Sequence, residues 1–328
     1  MIANSEQGQA LAEIWDQVAE TLSDEELRGY IYSAVSFVDP DLEGLDLNQA
    51  MRDILRRPVA EEKLRRTLTC FLQYHKKIDD GDLGYSMGGP KINLILKYLK
   101  VLPFDNWRSA TLLWLSRSPD AAQTLRFLRA LDALSTGLVV LGYVSNTIAN
   151  RFQKIRARVE DGTVLSDPAI EIYLTPNEKN KIRDRLNGPI NPKAKFLRHI
   201  MLRLNAEMLD TAFKGEIKLD IEIEHILPQA PSPKSVWMKN FPDKHRRITL
   251  CQLLGNLAIL SKRININARN FDFHKKRDTI FGTSGSNTFP MTADLVHYQD
   301  WTEVEILHRH EKFLRIAERV MDPVVMPQ

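Results

Sequence analysis

An adjacent carboxylate and imidazole, Glu224 and His225, stand at the end of a run in which Ile217, Leu219, Ile221 and Ile223 alternate with Lys218, Asp220, Glu222 and Glu224. An imidazole can accept a proton at neutral pH, so His225 is a candidate general base. Downstream, Asn256 follows Gly255, and Asn265 lies nine residues further on (265 − 256 = 9). Carboxylate and amide oxygens are hard ligands, so Glu224 with Asn265 suits one divalent cation, Mg2+ or Mn2+, that keeps several of its waters. Asn267 is close enough to Asn265 to stand in for it, and Asn270 is placed to cap a following helix. Taken singly, a histidine after a strand is more often a packing residue, and a Gly-Asn pair is usually a turn. The ordered set carries the reading.

The elements that must hold these residues follow from periodicity. Alternation of apolar and polar residues up to Glu224 predicts a half-buried strand, stopped by Pro228. Gly255 to Leu260 predicts a second short strand, Phe271 to Phe281 a helix, and Thr302 to Val320 an amphipathic helix carrying Arg309. Upstream the apolar spacing is helical throughout. Helices are predicted over Gln9 to Leu22, from a Ser23/Glu26 capping box, and over Ala60 to Lys77, Ile92 to Leu102 and Trp107 to Leu115. Others follow over Ala121 to Leu134, Leu138 to Val159, Glu178 to Leu186 and Lys193 to Leu209. Turn formers crowd Asp161 to Pro192, which predicts a helical domain over 1–192 and a second domain over 193–328. The expected fold class is α+β, mainly α.

The text Glu-His-Ile-Leu-Pro-Gln at 224–229, Trp237, Gly-Asn-Leu-Ala-Ile-Leu at 255–260, Asn265, Asn270, Phe273, Lys276, Trp301 and Arg309 forms one ordered set. It resembles the C-terminal nuclease domain of the GmrSD-type modification-dependent restriction enzymes, a group that includes SspE-like proteins of phosphorothioate-linked phage defence. The resemblance covers about residues 193–320. It implies a ββα-metal (HNH, His-Me finger) nuclease site embedded in helices, with His225, Asn256 and Asn265 as its signature residues. Asn256 would then hold the loop and the imidazole in orientation, and Arg309 would support the site through a salt bridge. Hydrolysis of a phosphodiester needs a nucleophilic water, an acceptor for its proton and positive charge for the transition state, and this set offers each. Many HNH relatives bind a structural zinc through paired cysteines; with Cys70 and Cys251 alone, none is expected. Full-length relatives begin with a sensing and nucleotide-hydrolysing domain marked by an Asp-Gly-Gln-Gln-Arg-like run, which this sequence lacks, so a sensor domain or subunit is expected as a partner.

Composition bounds the rest. A chain of 328 residues, 43% hydrophobic and 27% charged, has enough apolar content for two cores and excludes wholesale disorder. No apolar run approaches the roughly 20 residues a bilayer requires, and Glu6, Glu13, Asp16 and Glu20 break up any secretion signal. A cytoplasmic location is expected. Net charge is only +3, but Lys244, Arg246 and Arg247 form one basic cluster and Lys262, Arg263, Arg269, Lys275 and Lys276 another, both near the candidate chemistry. These are the candidate contacts to double-stranded DNA. Two rival readings remain at this level: a non-catalytic DNA-binding or scaffold module, and an HNH nuclease acting on RNA. His75, Trp107, Trp114, His199, Trp237, Trp301 and Phe313 read as packing residues.

Overall fold

The computed structural model describes residues 46–323 apart from 86–87, 168–169, 210–220, 262–270 and 282–288, together with scattered positions before residue 46. Of the helix expected over Gln9 to Leu22 only Glu13, Ile14, Asp16, Gln17 and Glu20 are described, all helical; the Ser23/Glu26 capping box and the first part of the alternating run lie outside the described residues. So do Lys262, Arg263, Asn265, Asn267, Arg269 and Asn270.

The architecture is mainly helical α+β. Helices α1 (Leu47–Leu55), α2 (Pro58–Asp80), α3 (Gly89–Leu99), α4 (Asn106–Ser116), α5 (Ala121–Leu141), α6 (Ser145–Glu160), α7 (Pro176–Asn187) and α8 (Leu197–Glu207) precede strand β1 (Ile221–His225). Then come α9 (Val236–Asn240), α10 (Lys244–Cys251), a 3-10 turn (Leu254–Asn256), β2 (Leu257–Ser261) and α11 (Phe273–Lys276). A π turn (Arg277–Phe281), α12 (Pro290–Ala293), a second 3-10 turn (Asp294–His297) and α13 (Glu303–Met321) complete the order. By contacts the chain divides into two compact units: Met1–Lys97, Phe104–Arg129 and Ser145–Ile172 in one, Tyr98–Pro103, Ala130–Val144 and Tyr173–Gln328 in the other. No described helix is long and apolar enough to cross a membrane.

Local chemistry explains the element boundaries. Pro58 opens α2, where its missing N–H costs nothing, and Gly81 closes it at φ 68°, with its N–H donated to Ile78 O. In the first unit α2, α4 and α6 pack together over Leu64, Leu68, Phe71, Trp107, Leu115, Phe152 and Ile155. The two helices expected over Ala121 to Leu134 and from Leu138 are corrected by the structure: α5 runs unbroken to Leu141 and stops at Gly142, φ 69°. The Ser-Thr-Gly run at 135–137 suggested a break, but within the second unit Gly137 is an interior contact. A Cβ there would sit 2.7 Å from Leu174 Cδ1. Thr175 and Thr302 cap α7 and α13 with full capping boxes through Glu178 and Glu305.

The second unit buries a polar seam. Arg203 on α8 meets Asp132 on α5 at 2.7 Å and lies over the Tyr98 ring at 4.8 Å, while His199 Nε2 meets Thr136 Oγ1 at 2.8 Å. Burial holds the His199 imidazole down at about 3, against an ordinary 6.5. Burial also depresses His225, to about 4, and His310. A histidine with a depressed folded pKa binds fewer protons folded than unfolded, so the stability it confers is complete above the unfolded pKa and is lost as pH falls. Stability is therefore expected to drop between pH 7 and pH 5, by up to about 1.4 kcal/mol per pH unit for each such histidine below its unfolded pKa. Urea midpoints at pH 7, 6 and 5 measure this, and His199→Gln should remove about one proton from the slope. An unchanged slope in that variant would contradict the assignment.

Candidate active site

β1 and β2 run antiparallel, with Glu224 opposite Ala258 and His225 opposite Leu257. One side of β2 is buried against the second unit's core of Trp237, Leu250, Phe273, Ile280, Phe281, Trp301 and Ile306. The ladder continues one bond past the strand, from Ile226 N–H to Asn256 O at 2.9 Å. The chain then leaves the sheet at Pro228, which has no N–H to pair.

Asn256 secures the departing loop. It is wholly buried. Its Oδ1 accepts from Leu227 N–H at 2.8 Å and from the Trp301 indole N–H at 3.1 Å. Its Nδ2 donates to Leu227 O and Cys251 O, each at 3.0 Å. Both donors and both lone pairs are used. These partners are backbone and indole groups, so the amide orders the loop that bears His225 without bonding to the imidazole. The Cys251 thiol, pushed up to about 12 by burial, also donates to Leu227 O at 3.2 Å.

Lys276 is fully buried, which corrects its expected role as a surface phosphate contact. Its ammonium donates to Glu224 Oε1 at 2.5 Å, His225 O at 2.7 Å and Ile226 O at 3.1 Å. Burial pulls Lys276 down and Glu224 up, and the attraction between them opposes both shifts. The signal was present in the sequence: Phe273, Lys276 and Ile280 share one helical face, and Phe273 and Ile280 are core residues.

The His225 imidazole is part-buried, and its Nε2 meets no hydrogen-bond partner. Burial first, and then the Lys276 charge, depress its basicity.

Arg309 is also corrected. The expected salt bridge is replaced by three backbone acceptors: Nη1 donates to Gly255 O and Leu257 O, and Nη2 to Met291 O, all at 2.7 Å. The guanidinium lies over the Phe313 ring at 4.3 Å. It fastens α13 to the carbonyls on either side of Asn256. Gly255 permits this approach, because a Cβ there would fall 2.1 Å from Ile306 O. Arg309→Met should orphan three buried carbonyls and lower stability by about 3 kcal/mol or more, measured as a urea midpoint shift. A loss below about 1 kcal/mol would contradict this role.

The remaining basic candidates differ in their availability. Lys244 is exposed on α10, and exposed Arg246 pairs with Glu303, its Nε 2.9 Å from the carboxylate. Arg247 is part-buried and donates to Phe241 O at 2.6 Å. Lys275 is exposed with its ammonium over the Phe271 ring at 3.8 Å. Among the described residues no three histidine, cysteine, aspartate or glutamate side chains converge to hold an ion.

The arrangement presents an adjacent carboxylate and imidazole from the end of a two-stranded sheet braced by helices. Residues 176–316 match the family described as GmrSD restriction endonucleases, C-terminal domain, and this segment is a GmrSD-type restriction endonuclease C-terminal domain. The match begins with α7, upstream of the expected 193, and takes in Glu224, His225, Asn256, Lys276 and Arg309. No curated protein matches the chain.

Proposed function

We propose that this protein is a divalent-metal-dependent DNA endonuclease of the HNH type, acting in restriction or phage defence, with His225 as general base. The observation that carries the reading is the His225 imidazole. Its Nε2 is without a partner while every backbone donor and acceptor from His225 O to Leu227 O is held. An imidazole nitrogen that is buried yet unpartnered, on a fully fastened loop, lacks a ligand that a substrate water would supply. His225 would take that water's proton at Nε2.

The donor chemistry fits one hard cation held by a Glu224 carboxylate oxygen, with Asn265 as the second oxygen donor and waters filling the remaining positions. Such an ion would supply positive charge for the phosphorane-like transition state and the leaving 3′ oxygen. Lys244, Arg246 and Lys275, with Lys262, Arg263 and Arg269, would supply phosphate contacts. Selection of modified DNA is assigned to a sensing domain or subunit.

The test is supercoiled plasmid with Mg2+ or Mn2+ at low salt, run beside an EDTA control and an equal mass of structured RNA. Nicked or linear product is expected, lost with EDTA and falling steeply as salt rises. Preferential loss of RNA would overturn the DNA assignment, and EDTA-resistant cleavage would overturn the metal requirement.

A further inference from the structure

Lys276 has a position that the proposed chemistry does not yet use. Its three donors meet three oxygens with no solvent contact: the Glu224 carboxylate, His225 O and Ile226 O. Two of these are the carbonyls that follow the imidazole-bearing Cα and its neighbour. The third belongs to the carboxylate one residue before the histidine. α11, which carries the ammonium, passes directly into the π turn Arg277–Phe281, a distortion that occurs often at functional sites.

We propose that Lys276 is a positioning residue. Its ammonium clamps the carbonyls of two successive peptides, His225–Ile226 and Ile226–Leu227, and draws the Glu224 carboxylate to one side, which fixes the angle at which the imidazole and the carboxylate face the substrate. Asn256 fastens the loop one residue later, at both the N–H and the O of Leu227, so the two side chains divide the work. Asn256 sets where the loop leaves the sheet, and Lys276 sets the plane of the peptide bearing the histidine. A hydrophobic residue at 276 would fill the space but leave two buried carbonyls without a donor, each peptide then held only through its N–H. An arginine is too long for a closed site with three converging acceptors.

The inference rests on the hydrolytic reading of the site for its catalytic consequence, but its structural content is tested without activity. The 328-residue chain, 15N-labelled at histidine, would be compared with Lys276→Met and with the paired Glu224→Gln/Lys276→Met, each at a temperature where circular dichroism shows it folded. The paired variant avoids an unpaired buried carboxylate, so it remains informative if the single variant does not fold. In the parent protein the His225 ring is expected to give one sharp set of long-range 15N–1H signals, identified by their absence in His225→Gln. In both Lys276 variants the set should broaden or split. For an active parent, kcat of Lys276→Met should fall about 100-fold with KM for plasmid within about threefold, as expected for misplacement rather than lost binding.

A single sharp ring set in the paired variant would show that Lys276 only neutralises Glu224, and the clamp would be overturned. Wild-type kcat in folded Lys276→Met would overturn its catalytic consequence. A parent that cuts no nucleic acid would remove the hydrolytic reading, while the ring signals would still decide the clamp.

Discussion

His225→Ala is expected to slow metal-dependent plasmid cleavage by about 10²- to 10⁴-fold, the usual contribution of a positioned general base. The fold should survive almost unchanged. Nε2 bonds to no partner, so truncation breaks no hydrogen bond at that atom, and Lys276 and Asn256 hold the loop through its backbone. The stability cost should stay near 1 kcal/mol or below. This split is diagnostic. A histidine that serves only packing would show the reverse pattern, a shifted unfolding midpoint with activity per folded molecule intact. The measurement is initial cleavage rate against urea midpoint for both proteins, and cleavage within about threefold of the parent would remove His225 from the role of base.

Asn256→Ala should do the opposite and unsettle the fold. Four hydrogen bonds converge on this buried amide, and alanine leaves Leu227 N–H, Leu227 O, Cys251 O and the Trp301 indole N–H to find other partners. At about 1–3 kcal/mol for each buried group left unsatisfied, with relaxation recovering part, a loss of about 3–5 kcal/mol is expected. That is a large share of the roughly 5–15 kcal/mol a domain possesses. Cleavage should fall as well, because the loop bearing His225 loses its fixed exit from the sheet. A midpoint shift equivalent to less than about 1 kcal/mol would contradict the bracing role assigned to the amide.

The sequence carried much of this site and concealed part of it. Alternation up to Glu224 marked the strand, and Pro228 marked where it had to end, because both features depend on neighbours in the chain. Helices α2, α4, α7 and α13 were legible for the same reason, through their apolar spacing and capping residues. Lys276 was misread because a lysine within a basic run suggests solvent, although Phe273 and Ile280 already placed it on an inward face. Arg309 was assigned a carboxylate partner because charge suggests charge. Its actual acceptors are carbonyls at Gly255, Leu257 and Met291, and nothing local to residue 309 points to them. The continuity of α5 through Gly137 likewise depends on Leu174 packing against that position, a contact visible only in three dimensions.

The approach of α13 to Gly255 also bears on how the protein comes into being. On the ribosome, His225, Asn256 and Lys276 all emerge before Arg309 and Ile306, so the nascent chain holds these residues while it still lacks the helix that braces them. Closure waits on residues translated about fifty positions after the glycine they cover. A product released early, or trimmed before Glu303, would carry Glu224 and His225 on an unsupported sheet. Copies that end before Glu303 are therefore expected to lose the brace over Gly255 and Asn256, and with it the activity proposed above.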